Sequence, residues 1–132
     1  MSCLLPKSEL LRGYRSFAEV ISSGKSLFVN PIRCYYVFNA QGVSKITAGF
    51  SVTKKVGKSS KRNHIRRRMR EAYRHHKYLL EEMPKPAGLL RMVFLFIGKD
   101  QKVKTSPRYQ PIHNAISELL PRIKHEISEA PI

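Results

Sequence analysis

From Lys54 to Lys77 the chain carries eleven basic side chains, Lys54, Lys55, Lys58, Lys61, Arg62, Arg66, Arg67, Arg68, Arg70, Arg74 and Lys77, against one acid, Glu71. A run of like charge this dense ordinarily stays unfolded, because it repels itself and holds little apolar surface to bury. Here Ile65, Met69, Ala72 and Tyr73 follow one another at spacings of four, three and one, so an apolar stripe of helical period runs through the charge. The segment predicts a folded cationic helix from about Ser60 to Glu82, broken by Pro84, Pro86 and Gly88. Ahead of it, Phe50-Ser51-Val52-Thr53 has the composition of a strand, and Val56-Gly57-Lys58-Ser59-Ser60 supplies turn residues and helix caps. The unit reads strand, glycine turn, basic helix.

With the stripe turned inward, Arg67, Arg70 and Arg74 fall on the far side of the helix, Arg66 flanks it, and Arg62 lies nearer the stripe in the first turn. Across the whole chain 25 Lys and Arg face nine Asp and Glu, a net charge of +16. That exceeds what solubility requires and costs self-repulsion that a bound polyanion relieves, so nucleic acid is the implied partner. A membrane surface fits poorly, since the stripe is narrow and lacks the Trp/Phe/Leu-rich face of an interfacial helix. No stretch reaches the length of a membrane span, and Met1 to Lys7 lacks the apolar run of a signal peptide, so a cytoplasmic location is expected. Cys3 and Cys34 make no metal-ligand pair and are expected as thiols, Cys34 within the core.

The chain has 132 residues, enough for one core and too few for two ordinary domains, so a single domain over 1–132 is expected, with 1–8 as a tail. Glu9 to Ile21 places Leu10, Leu11, Tyr14, Phe17, Val20 and Ile21 at helical spacing and ends at Ser22-Ser23-Gly24. Ser26 to Phe38 is rich in β-branched and aromatic residues, and Asn39-Ala40-Gln41-Gly42 turns it into a second run, Ser44 to Thr53, which predicts an antiparallel hairpin. Leu89 to Ile97 is almost wholly apolar, as suits a strand covered on both faces or central in its sheet. After a polar loop from Gly98 to Pro107, Tyr109 to Ser128 forms an amphipathic helix that Pro121 kinks or breaks. The fold class is α+β, a two-layer α-β sandwich in the order helix-strand-strand-strand-helix-strand-helix.

Catalytic patterns are missing from the sequence. Nine acids are scattered without the carboxylate cluster of a two-metal site, and no Ser-His-Asp or paired-carboxylate constellation is readable. His75 and His76 are adjacent, which on a helix sets them about 100° apart, and His64, His113 and His125 lack companion ligands at recognisable spacing. No metal site built by the protein and no catalytic residue is expected; His64 or His75 as a general base would lack a partner acid. Val56-Gly57-Lys58-Ser59 holds one glycine and misses the Walker pattern.

Gly49-Phe50-Ser51-Val52-Thr53-Lys54-Lys55-Val56-Gly57-Lys58, followed by Lys61-Arg62-Asn63-His64-Ile65-Arg66-Arg67-Arg68-Met69-Arg70-Glu71-Ala72-Tyr73, closely resembles the protein subunit of bacterial ribonuclease P. There a strand ending in Ser-Lys-Lys-Val-Gly precedes an Arg-Asn-Arg helix. The resemblance is densest over Ala48 to Arg74 and extends more loosely to Phe17, Val20 and Gly24. It implies a left-handed β-α-β crossover, where handedness rules alone predict the opposite hand. One position departs from the pattern: His64 stands for the family's second arginine, so a charge-assisted contact there is weaker or pH-dependent.

The resemblance implies that an RNA subunit with bound Mg²⁺ removes the 5′ leader of precursor tRNA, while the protein binds. Two surfaces follow from it. Lys58, Lys61, Arg62, Asn63, His64, Arg66, Arg67 and Arg70 would hold the ribonuclease P RNA, guanidinium groups forking onto phosphates. Phe17, Ile21, Tyr35, Ser51, Lys54 and Lys55 would hold the single-stranded leader, aromatic faces stacking bases and lysines following the backbone. From the residues alone Phe17 and Tyr35 serve equally well as core, and alternation leaves open whether Tyr35 or Tyr36 faces the cleft, although spacing from Phe17 in the family favours Tyr35. The expected partners are ribonuclease P RNA and precursor tRNA, without an obligate protein partner. The second reading is a ribosomal or general RNA-binding protein, and the third a duplex-DNA binder; both explain the charge, and neither explains the ordered strand-to-helix pattern.

Overall fold

Pro31 decides how the first half of the sheet forms. It has no N–H for a β-ladder and a fixed φ, so the apolar run from Ser26 to Phe38 cannot be one strand. In the computed structural model, which describes residues 9–41, 45–81, 88–97 and 110–128, the run divides at Asn30-Pro31 into β1 (Lys25–Val29) and β2 (Ile32–Asn39). These two pair antiparallel, with Ser26 opposite Tyr35 and Phe28 opposite Arg33. The hairpin expected between Ser26–Phe38 and Ser44–Thr53 does not form: β3 (Lys45–Val52) never touches β2, because β4 (Leu89–Phe96) lies between them in the order β1-β2-β4-β3. The apolar composition of β4 is the reason. Flanked antiparallel by β2 and parallel by β3, it buries Leu90, Met92, Phe94 and Phe96 on the core face and Val93 on the other, where Leu89, Arg91 and Leu95 stay half-buried.

The helices differ at their ends from the sequence expectation. Residues from Leu10 to Arg12 are not helical; Leu10 bridges to Ala48 and Leu11 N–H donates to the Ala48 carbonyl, covering the outer edge of β3. Gly13, at φ 93°, turns the chain into α1 (Tyr14–Ser23). The basic helix α2 (Ser59–His76) follows a single 3₁₀ turn, Lys54–Val56, and stops six residues short of Glu82. Leu80 N–H donates to the Lys77 carbonyl three residues back, a tight turn at the start of the short α3 (Tyr78–Glu81). Lys77 turns inward there and reaches Glu9 with its Nζ at 3.4 Å, tying α2 to the segment along β3. The last helix, α4 (Gln110–Ser128), continues through Pro121, whose ring is exposed. The tail 1–8 and the loop expected over Gly98 to Pro107 lie outside the described residues.

One core fixes the layers. Ile32, Cys34 and Tyr36 of β2, Ala48, Phe50 and Val52 of β3, and Leu90, Met92, Phe94 and Phe96 of β4 all face α2 and α4, which pack side by side. Phe50 and Phe94 stack at 5.7 Å between ring centres, and Tyr73 of α2 meets both at 5.8 and 5.7 Å. Aromatic contacts of this geometry add to area burial and leave α2 little freedom to rotate. Burial also pushes the Cys34 thiol pKa well up, which marks it as an inert core filler. On the other face α1 crosses β4 and β2, with Val20 of α1 and Val93 of β4 fully buried. The parallel pair β3 and β4, joined through α2, forms the β-α-β crossover.

Candidate nucleic-acid interface

The apolar stripe sets which side of α2 meets solvent. Ile65, Met69, Ala72 and Tyr73 are buried as the sequence pattern requires, which turns Asn63, Arg67 and Arg70 fully outward and leaves Lys61, Arg62, His64, Arg66, Arg68 and Arg74 half-buried along its flanks. Arg67, Arg68, Arg70, Glu71 and Arg74 line a shallow open depression. Arg66 donates to the Asn63 side chain, so the two act as one unit. Glu71 accepts from Arg74, and His75 Nε2 stands 3.1 Å away; the Arg74 hydrogen bond holds the Glu71 carboxyl below its ordinary range. The only acid on the helix is thus neutralised locally, and the first turn, preceded by Lys58, holds no acid and no side-chain cap. Backbone N–H groups and the positive end of the helix dipole there add to Lys58, Lys61 and Arg62.

The opposite face of the sheet is built in rows across four strands. One row runs Gly49, Val93, Tyr35, Ser26 from β3 to β1, and the next runs Ser51, Leu95, Arg33, Phe28. Phe17 of α1 lies against Gly49 so closely that a Cβ there would stand 2.4 Å from its ring. Ile21, one turn later on the same side of α1, is 38% exposed. Alternation along β2 puts Tyr35 on this face, half-exposed, and Tyr36 in the core at 6% exposure. Lys54 and Lys55 are exposed just past the end of β3, beyond Ser51. The structure therefore gathers Phe17, Ile21, Tyr35 and Ser51 on one face with both lysines at its border, and sets Lys58 to Arg70 on α2, across the sheet.

A family model described as Ribonuclease P matches residues 5–124. The chain belongs to the ribonuclease P protein family. It is 38% identical over 77 residues to the ribonuclease P protein component of Dictyoglomus thermophilum, a match that covers 58% of this chain and 62% of that relative. With the counterpart from Chlorobium phaeobacteroides it shares 31% identity over 131 residues, covering 91% of this chain and 88% of the relative. The chain thus spans less than two thirds of the first relative and most of the second. A solved structure of the ribonuclease P protein from Thermotoga maritima has the same fold, with a TM-score of 0.64 at 26% identity over 86% of this chain and 96% of the other.

In this ribonuclease P family chain, sequence reasoning missed three residues of the open face. Arg33 and Phe28 sit together there, the guanidinium carbon 5.1 Å from the ring centre. Arg91 reaches Glu19 of α1 at 2.8 Å, and that hydrogen bond lowers the Glu19 pKa. The Pro31 turn was the available signal, because once it divides the run, alternation puts Arg33 beside Tyr35. At the seam between α2 and α4, the His113 ring lies 6.0 Å from His76 and 6.5 Å from His75. Among the described residues no group of three or more His, Cys, Asp or Glu is placed to hold a metal ion.

Proposed function

We propose that the chain is the protein component of ribonuclease P, a binding subunit of an endoribonuclease that removes the 5′ leader of precursor tRNA. The outer side of α2 holds the catalytic RNA, chiefly through Arg62, Arg66, Arg67 and Arg70, with Lys58, Lys61, Asn63 and His64 at the first turns. Phosphate contacts of this kind fix position and carry no sequence information. The open sheet face takes the leader: Phe17, Ile21 and Tyr35 stack or cover bases, Ser51 donates a hydroxyl, and Lys54 and Lys55 follow the phosphates. A leader held in this way adds contacts that mature tRNA lacks, so substrate is preferred over product. Cationic charge at the RNA contact lowers the Mg²⁺ that the folded RNA needs.

The observation that carries this reading is the pairing of two unlike surfaces around one strand-to-helix unit: a cationic helix anchored by Tyr73, and an aromatic sheet face ending in two lysines. Among the described residues the carboxylates form no cluster suited to Mg²⁺. Glu9, Glu19 and Glu71 are each engaged by a cation, Lys77, Arg91 and Arg74 in turn. Phosphodiester chemistry and its Mg²⁺ are assigned to the RNA. Among the described residues no helix is long and apolar enough to cross a membrane; the cytoplasm is the proposed location.

The test is cleavage of a leader-bearing precursor tRNA at low millimolar Mg²⁺ by the protein, by a bacterial ribonuclease P RNA, and by the two together. Activity in the mixture alone is expected. Cleavage by the protein alone would sink the assignment of chemistry to RNA. Silence in all three, with an RNA that is active at high Mg²⁺, would leave a general RNA binder.

A further inference from the structure

At the β1 edge of the open sheet face, Phe28 is 45% exposed and stands directly opposite Arg33. The Arg33 guanidinium lies over the Phe28 ring at 5.1 Å, and its Nη1 is 3.4 Å from Ser26 Oγ. Two contrasts set the pair apart. On the same face Arg91 is bound to Glu19, whereas Arg33 has no carboxylate partner among the described residues. And α1 packs over β2 and β4, so Ser26 and Phe28 of β1 remain exposed beside the helix.

We propose that Phe28 and Arg33 form an additional station for the single-stranded leader, outside the residues assigned to it above; the inference rests on that leader reading. An exposed aromatic ring offers a sequence-independent stacking surface, and an arginine without an acid partner offers a phosphate contact or a second stacking plane. The arginine already lies against the ring, so little side-chain freedom remains to be lost when RNA binds. Position supports continuity. Tyr35 is opposite Ser26, which makes Phe28 its diagonal neighbour at about 7–8 Å, within the span of one unstacked nucleotide. The row Ser51, Leu95, Arg33, Phe28 crosses all four strands, about 14 Å at the usual strand spacing, and Lys54 and Lys55 follow Ser51 just after the end of β3. A strand of RNA following this row meets cationic groups at both ends and an aromatic surface at the β1 edge.

The experiment measures affinity of the assembled holoenzyme for mature tRNA and for precursor tRNAs with a series of leader lengths, using wild type, Phe28→Ala, Phe28→Tyr and Arg33→Gln. Phe28→Ala is expected to weaken leader-bearing precursors about tenfold and leave mature tRNA unchanged; the length at which the loss first appears locates the nucleotide. Phe28→Tyr should restore binding, and Arg33→Gln should weaken the same precursors and flatten their salt dependence. Wild type that prefers precursor to mature tRNA, with Phe28→Ala unchanged on every leader, overturns this station alone. Wild type without any preference for a leader overturns the leader reading and the station together. Equal loss on mature and precursor tRNA would make Phe28 a structural residue. A shift in self-association without a change in leader affinity would assign the β1 edge to a protein contact. Either of those last two outcomes overturns the proposal.

Discussion

The outer side of α2 and the open face of the sheet are both proposed as RNA-binding surfaces, yet they are made differently. On α2 the cations come from one contiguous stretch of chain and project from a convex cylinder, and the single acid is tied up by Arg74 and His75. On the sheet the useful groups come from α1 and four strands, cations are few, and one of them, Arg91, is locked to an acid. The first surface suits phosphates presented in any sequence; the second suits unstacked bases. The difference teaches that dense charge and exposed aromatic surface reside on separate elements of this fold, so under the proposed roles each can be damaged alone.

The largest effect should come from the helix. Arg67→Gln together with Arg70→Gln removes the two most outward arginines without touching the buried stripe. Affinity for the ribonuclease P RNA should fall about a hundredfold, and the slope of log K against log salt should flatten by about 2. The ratio of precursor to mature tRNA affinity should stay as it is. An unchanged salt slope would remove the outer side of α2 from the RNA contact.

The sheet face should give the reverse pattern at smaller scale. Phe17→Ala should weaken precursor tRNA about tenfold and mature tRNA hardly at all, with RNA-subunit affinity intact. Gly49→Ala tests the same surface from below, since its Cβ would occupy space held by the Phe17 ring and displace it. If both variants lose mature and precursor tRNA equally, Phe17 is core and the comparison of two surfaces fails.

Acid should act on the seam that holds α2 in place. Burial, then the neighbouring imidazoles and, for His113, Arg68, hold the His76 and His113 pKa values below the ordinary 6.5, although Glu71 pulls His113 the other way. Because the folded values are depressed, the unfolded chain takes up these protons first as pH falls. Stability is therefore greatest above about 6.5, declines as pH drops through that value, and the loss is complete below the folded pKa values. Thermal unfolding followed from pH 7.5 down to 5.5 should show the midpoint falling by a few degrees. His113→Phe should flatten that slope, and an unflattened slope would place the titrating group elsewhere.

The two surfaces also differ in how far the sequence alone exposes them. A helix keeps its neighbours in sequence adjacent in space, so Ile65, Met69, Ala72 and Tyr73 were enough to turn Arg67 and Arg70 outward, although Arg74, expected on the far side, is half-buried against Glu71. A sheet face is assembled from residues far apart in sequence, and its layout depends on strand order. The apolar run of Leu89 to Ile97 did announce a central strand, but not that it would separate β2 from β3, a long-range choice expressed in the ladders on both its edges. The start of α1 was misjudged for a related reason: Leu10 and Leu11 fit a helical period, while an edge of β3 was there for them to cover. Arg91 and Glu19 lie 72 positions apart, and nothing local links them.

That ion pair yields the smallest and most discriminating test. Glu19 is 57% exposed and Arg91 22%, so solvent screens the pair and it adds little to stability. Its effect on binding should be larger than its effect on folding, because Glu19 places a negative charge beside the face assigned to the leader and also occupies the guanidinium of Arg91. Glu19→Gln removes the charge and releases the arginine. Precursor tRNA affinity should rise about two- to threefold at low salt, and the gain should shrink as salt screens it, with mature tRNA unaffected. Glu118→Gln supplies the control: it loses the same charge on α4, across the sheet, from a carboxylate about as exposed as Glu19 and paired with Arg122. Should both variants tighten binding alike, the response is to net charge alone, and the open face has no privileged place in leader binding. A gain confined to Glu19→Gln would tie the effect to that face and give Arg91 a role that its partner now conceals.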